Sequence, residues 1–237
     1  MKIADYKIGG FEIKLKASDT VFNPTHTTQI LADSMKIKEG DMVLDLGCGV
    51  APLAIVAAKR GAEKVYAIDI QEEACEYARY NVEINHVAER VHVMCGDLFE
   101  PVKGKKFDVI IDDVSGIAEA IARISRWYSC ERIPVANENG TEPVVRMLEQ
   151  SPHYLKEKGV LYLPVCTLSD AKKIIEKAKQ IFKGNLELVA EKMFPLISEL
   201  KEGIKDFQHL IDKGIVELYK RGSRYLWNLK IFRCVYL

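Results

Sequence analysis

Two spacings of apolar residues alternate along the chain and set out its elements. Tyr6, Ile8, Phe11, Ile13 and Leu15 alternate with polar neighbours around Gly9-Gly10, the pattern of a tight two-residue hairpin. A threonine-rich stretch from Thr25 follows, where a threonine hydroxyl can cap a helix running to about Met35. Residues 42–46 are apolar apart from Asp45 and do not alternate, as expected of a strand buried on both faces of a parallel sheet. From there, strands at 64–68, 91–95, 107–111, 160–165 and 186–192 are separated by stretches of helical period. The helices are expected at 53–60, 71–85, 117–127, 142–155 and about 170–182. A further helix is expected at 199–210, and strands at 215–219 and 225–232 would pair around Gly222-Ser223.

This alternation predicts an α/β fold: a doubly wound, mostly parallel sheet of seven strands with helices on both faces, preceded by the N-terminal hairpin and helix. Residues 1–40 are expected to form the hairpin and a lid helix. Residues 41–237 form the main domain, with a helical insertion at about 196–214.

Composition narrows the class without naming a chemistry. The 237 residues are 48% hydrophobic and 29% charged, ordinary for a globular protein able to bury a full core. With 34 basic and 34 acidic residues, the formal charge is zero, so nothing global points to nucleic acid. Six cysteines are scattered with no C-x-x-C pair and no zinc spacing, which suggests buried free thiols in a reducing cytoplasm and implies no metal. The N-terminus lacks a signal peptide's apolar core, and no run approaches a membrane span.

The chemistry is concentrated between Val43 and Ile70. Gly47 and Gly49, with Cys48 between them, stand at the end of the first parallel strand, where a backbone without Cβ atoms can turn sharply and lie close to a ligand. Pro52 stands where a helix should begin. The next strand delivers Asp69, followed by Ile70, to the same sheet edge, about 20 residues beyond the turn. An acid placed there can accept hydrogen bonds from both ribose hydroxyls. A nicotinamide or flavin site would want a third glycine where this chain has Ala51-Pro52-Leu53. Asp45 at the turn would repel a diphosphate but suits a ligand bearing an ammonium or sulfonium group.

The Asp45-Leu46-Gly47-Cys48-Gly49 stretch resembles the first motif of class I S-adenosylmethionine-dependent methyltransferases, and Asp69 resembles their ribose-binding acid. At the end of the third parallel strand, Asp97 can accept a bond from the adenine amine while Leu98 covers the ring. The resemblance implies S-adenosylmethionine as cofactor, with Thr28, Asp45, Gly47, Cys48, Gly49, Asp69, Ile70, Asp97 and Leu98 around it. Thr28 would bind the cofactor's carboxylate, with helix capping alone equally open, and the hairpin and threonine helix would close over its amino-acid end.

Between about Phe11 and Leu163 the resemblance sharpens. The segments Val21-Phe22-Asn23-Pro24, Gly96-Asp97-Leu98-Phe99 and Tyr154-Leu155-Lys156-Glu157-Lys158-Gly159 look like the catalytic domain of release-factor glutamine methyltransferases. They also resemble the related ribosomal-protein methyltransferases. The glutamine enzymes carry Asn-Pro-Pro-Tyr after the fourth parallel strand, where this chain has Asp113-Val114-Ser115-Gly116. An ionised aspartate cannot donate to an amide oxygen, but it can orient an amine or take a proton from a hydroxyl. Asp113 is therefore the residue expected to position the acceptor, with Asp112 next.

The expected function is methyl transfer to a nitrogen or oxygen of a protein side chain or small-molecule amine. An RNA methyltransferase of the same fold and a non-catalytic cofactor-binding subunit are the alternatives. Aminopropyl transfer is disfavoured because the acid-rich glycine motif of those enzymes is missing. Trp127, Tyr128 and Pro134 suggest an acceptor pocket or its cover, with simple packing equally open.

Overall fold

The computed structural model describes residues 2–237. Strand β1 (Lys2–Ile8) pairs antiparallel with β2 (Phe11–Ala17), and the register closes with Ile8 opposite Phe11. Gly9 and Gly10 both have positive φ (58° and 88°), which gives the two-residue turn its twist. Helix α1 (His26–Ser34) begins at Thr25 in a reciprocal capping box with Thr28.

The main sheet then builds in order. Strand β3 (Met42–Leu46), helix α2 (Pro52–Lys59), β4 (Lys64–Asp69), α3 (Glu72–Ile84), β5 (Val91–Cys95) and β6 (Phe107–Asp112) form its first half. The second half is α4 (Glu119–Ile124), α5 (Glu142–Gln150), β7 (Leu155–Cys166), α6 (Ala171–Ile181), β8 (Leu186–Pro195), α7 (Ser198–Glu202), α8 (Gln208–Asp212), β9 (Tyr219–Arg221) and β10 (Arg224–Val235). Seven long strands lie in the order β5-β4-β3-β6-β7-β10-β8, with the three-residue β9 appended to β10. The first five are parallel, and β10 runs antiparallel between β7 and β8. From β3 the chain moves first to β4 and later returns to β6 on the other side. The carboxyl end of β3 is thus the switch point where a crevice opens.

The apolar runs divide strictly by alternation. Val43, Val65, Ala67, Val109 and Ile111 enter one core beneath α2 and α1; Leu44, Leu46, Ile68 and Ile110 enter the other beneath α5 and α6. Residues Pro52 through Ala58 of α2 are all buried, so this helix has no solvent face. Its outer side is covered by the N-terminal hairpin and α1. The Arg60 guanidinium ties these layers together by donating to the carbonyls of Gly9, Ala32 and Met35.

The hairpin's edge is closed by side chains rather than by another strand. Asn85 accepts from the Lys14 N–H (3.0 Å) and donates to its carbonyl (2.7 Å); Asn81 does the same at Lys16 (2.7 and 3.0 Å) and also donates to the Val50 carbonyl (3.0 Å). The match is geometric. Four residues of helix rise about 6 Å, close to the roughly 6.8 Å between alternate strand residues.

The structure corrects several expected boundaries. The helix begun at Glu142 ends at Gln150 because Pro152 has no N–H to donate to the Leu148 carbonyl, which the Ser151 hydroxyl takes instead (2.9 Å). A 3-10 turn follows, and β7 starts at Leu155, earlier than the expected residue 160. The helix expected at 199–210 is broken at Gly203, whose Cβ would lie 2.8 Å from Ile124 Cδ1. Residues 215–218 are not a strand, and the first residues of β10 pair instead with the short β9 across the turn at Gly222-Ser223. The helix expected at 117–127 shortens to α4 and a 3-10 turn, Arg126–Tyr128. Among the described residues no helix is long and apolar enough to cross a membrane.

Because Asn81 is fully buried and serves three backbone groups, Asn81→Ala is expected to lower the unfolding free energy by about 3 kcal/mol. Glu76→Ala on the exposed face of the same helix should change it by less than about 0.5 kcal/mol. Urea titration of both variants checks this, and equal effects would remove the asparagines' bridging role.

Candidate active site

A cavity of about 620 Å³ opens at the carboxyl edge of the sheet, over the switch point. Its floor is the turn after β3. The Gly47 and Cys48 N–H groups both donate to the Ile68 carbonyl (2.9 Å each), bending the chain back across β4. The Gly49 N–H donates to Asp69 Oδ2 (2.8 Å), and the Gln71 N–H donates to Asp69 Oδ1 (2.9 Å). One carboxylate thereby fixes both the glycine turn and the start of α3.

Gly47, at φ 71°, leaves no room for a side chain: a Cβ there would lie 2.8 Å from the Asp113 carbonyl oxygen and from the Val114 nitrogen and Cα. The peptide after β6 crosses directly above the turn, anchored by the Asp113 N–H to the Leu46 carbonyl (2.9 Å). This crossing carries Asp113 to the cavity wall opposite Asp69.

Four acids gather here, and burial pushes each carboxyl upward in pKa. Asp45 is wholly buried with neither oxygen in hydrogen-bonding geometry to a described donor; its pKa is raised well above the usual range by burial, with the charge of Asp113 adding. Asp112 is likewise raised by burial, opposed by the Val114 N–H, which donates to its Oδ1 at 3.3 Å. Burial raises Asp69 against its backbone donors at Gln71 and Gly49. Asp113 is pushed up to about 7 by burial, with the Thr28 hydroxyl opposing and Asp69 adding to the rise.

Of the residues expected at the site, Gly47, Gly49, Asp69, Ile70, Asp97, Leu98 and Asp113 line the cavity together. Thr28, Asp45, Cys48 and Asp112 do not. Thr28 is buried, and its hydroxyl accepts the Thr25 N–H (3.2 Å) and lies against Asp113. The cavity is instead faced by Thr25, His26 and Thr27, so the expected contact of Thr28 with a cofactor carboxylate is corrected to one with Asp113. Asp45 lies within β3 and Asp112 is the last residue of β6, and both carboxyls are enclosed by the sheet and its packing. Asp112 is therefore not placed to touch an acceptor. The Cys48 thiol turns into the core, where burial raises its pKa well above the usual value.

The hairpin is also corrected. Its strands pack over α2 and α3 and do not line the cavity, whereas the segment after it supplies Phe22 and Pro24. That segment meets the chain after α4: Phe22 packs on Tyr128 (centroids 5.2 Å) and the Ser129 hydroxyl donates to the Asp19 carbonyl (2.8 Å), while Arg132 pairs with Glu73 of α3 (3.6 Å). Trp127, Tyr128, Pro134 and Val135 line the cavity, and the Tyr128 and Ser115 hydroxyls share a 2.8 Å hydrogen bond.

Sequence reasoning missed the opposite wall. Trp227 of β10 and Phe194 of β8 are cross-strand partners, stacked at 4.9 Å. Trp127 meets Trp227 edge-on at 5.9 Å, and His26 meets Phe194 edge-on at 5.6 Å. Their strands lie far along the chain from the glycine motif, and only the antiparallel insertion of β10 brings them beside it. Arg146 of α5 was missed as well; it pairs with Asp97 at the far end of the cavity.

Residues 23–128 match the family model described as ribosomal protein L11 methyltransferase. A protein of Methanocaldococcus jannaschii, provisionally named a protein N5-glutamine methyltransferase, is 30% identical over 169 residues, covering 71% of this chain and 84% of that protein. The ribosomal protein L11 methyltransferase of Shouchella clausii is 38% identical over 104 residues, which span 43% of this chain and only 32% of that enzyme. Among solved structures, a tRNA methyltransferase of Methanocaldococcus jannaschii superposes with a TM-score of 0.60 at 15% identity, covering 99% of this chain and 57% of its own. The ribosomal protein L11 methylase of Lactobacillus delbrueckii gives a TM-score of 0.52 at 19% identity, covering 89% and 80%. The structural likenesses establish the Rossmann-like fold, and the first relative, matched over most of its length, establishes the family: the chain belongs to the class I S-adenosylmethionine-dependent methyltransferases.

Proposed function

We propose that the chain binds S-adenosylmethionine across the turn after β3 and methylates a nitrogen, or an oxygen, of a protein side chain or small-molecule amine held against Asp113. The observation that carries this reading is that Asp69 and Asp113 face one cavity from opposite sides of the Gly47–Gly49 turn. The residues present fit the cofactor. Two glycines leave the main chain bare, and Asp69, though held by two backbone donors, keeps lone pairs for ribose hydroxyls. Ile70 and Leu98 offer apolar surface for a purine ring beside Asp97. Raised carboxyls at this edge favour a ligand that brings positive charge.

When bound, the cofactor supplies a methyl group made electrophilic by its sulfonium. The chain's own part is positional. Asp113 orients the acceptor N–H or O–H and, with a pKa near 7, can take up its proton. The Thr28 hydroxyl and the peptide crossing over Gly47 fix its direction. Trp127, Phe194 and Trp227 keep water from that end of the cavity. The names borne by the M. jannaschii and S. clausii relatives, a glutamine and a ribosomal-protein methyltransferase, support a protein acceptor. A second reading, RNA methylation, is favoured by the exposed tip of the β9–β10 hairpin, where Lys220, Arg221 and Arg224 have no acidic partner among the described residues.

Calorimetry should show S-adenosylhomocysteine binding to the wild type, weakened at least about tenfold in Asp69→Ala; no binding to the wild type would remove the cofactor assignment. Incubation with methyl-labelled cofactor and either total protein or total RNA should place label in the protein fraction, and label in RNA alone would reverse the order of the two readings.

Asp113 has a further, pH-dependent consequence. Its folded pKa of about 7 lies above the usual carboxyl value, so the folded state binds the extra proton. The resulting stabilisation is complete below about pH 4 and is lost as pH rises through 7. The melting temperature should therefore fall more between pH 5 and 8 for the wild type than for Asp113→Asn. The same variant should lose on the order of 100-fold in kcat and the rising limb of the rate profile near pH 7. Parallel melting curves or an unchanged rate profile would exclude this role for Asp113.

A further inference from the structure

Beyond the residues assigned above, the geometry points to Arg146 as the positioning residue that sets selectivity for the 6-amino group of adenine, by pinning Asp97 at the base end of the cavity. This rests on the cofactor reading of the preceding section. Helix α5 fixes where Arg146 points: Val144, Met147 and Leu148 are buried against the core, which leaves Glu142, Pro143 and Arg146 on the cavity side. From there the Arg146 guanidinium donates through Nη2 to Asp97 Oδ2, and through Nη1 to Glu142 Oε1 at 3.3 Å.

The main chain around Asp97 is already fixed. The Gly96 N–H donates to the Asp69 carbonyl (2.9 Å), a Cβ on Gly96 would meet Pro101 Cγ at 2.5 Å, and Leu98 sits at φ 47°. Only the Asp97 side chain is left to rotate, and Arg146 holds it. With Oδ2 engaged by Arg146, Asp97 is left with Oδ1 as its free acceptor. Such a group matches an exocyclic amine and repels the oxygen of a 6-oxo purine.

The pair is half exposed, with 43% of the Arg146 and 39% of the Asp97 side chain accessible. It therefore contributes little to folding stability, and its effect is on orientation. Once Arg146 is removed, the Asp97 side chain is free to turn away, and the preference for an amine over a 6-oxo group falls with it.

The test compares calorimetric binding of S-adenosylhomocysteine and its deaminated analogue S-inosylhomocysteine. Wild type should prefer the adenine ligand on the order of 100-fold. Arg146→Met should weaken it about tenfold and bring the preference below tenfold, while Arg146→Lys restores most of it. Asp97→Asn, whose amide can turn its donor inward, should bind the hypoxanthine ligand better than wild type does. Equal weakening of both ligands by Arg146→Met, or no change in their ratio in either the Met or the Asn variant, would overturn the role of Arg146. Failure of wild type to bind either ligand would instead bring down the cofactor reading, and this inference with it.

Discussion

The site depends on one close approach. The backbone of Asp113 and Val114 passes over Gly47 at a distance that no Cβ could share, and the Asp113 N–H secures it to the end of β3. Everything functional is arranged around this crossing of two neighbouring parallel strands. It allows an acid from the end of β6 to face an acid from the end of β4 with only the glycine turn between them. The positive φ of Gly47 and the lack of a side chain are two demands on one residue, and only glycine meets both.

The crossing also concentrates carboxyl groups. Asp45, Asp69, Asp112 and Asp113 all lie at one sheet edge with raised carboxyl pKa, and among the described residues no lysine, arginine or histidine is buried. A fold optimised for stability alone would have paired or replaced these groups. Their retention is consistent with a site whose missing counter-charge arrives with its ligands.

Local physics explains which parts were legible in the chain itself. The run of 42–46, the glycines, Asp69 at the next strand end and the hairpin at Gly9-Gly10 are short-range patterns, and each lies where its periodicity puts it. Asp97, Leu98 and Asp113 were reachable because parallel strands deliver their carboxyl ends to one edge. Thr28 and Asp112 were less legible for the opposite reason: alternation says which strand residues face a core, but it does not say which hydroxyl a capping box will occupy or which of two adjacent acids clears the sheet. The aromatic wall of Trp127, Phe194 and Trp227 comes from three distant segments, and Arg146 meets Asp97 across 49 residues. No local pattern encodes such meetings.

The docking of the N-terminal hairpin bears on the order in which the molecule assembles. Its edge is completed by Asn81 and Asn85, contacts that span 65 and 71 residues, and its inner side covers a helix that is itself packed on the sheet. Contacts of that sequence separation carry a larger loop-closure cost than local ones. Until α3 is in place, the edge of β2 that Asn81 and Asn85 complete has no partner. The hairpin thus takes its seat from distant parts of the chain, and without it α2 would keep an apolar side open to water.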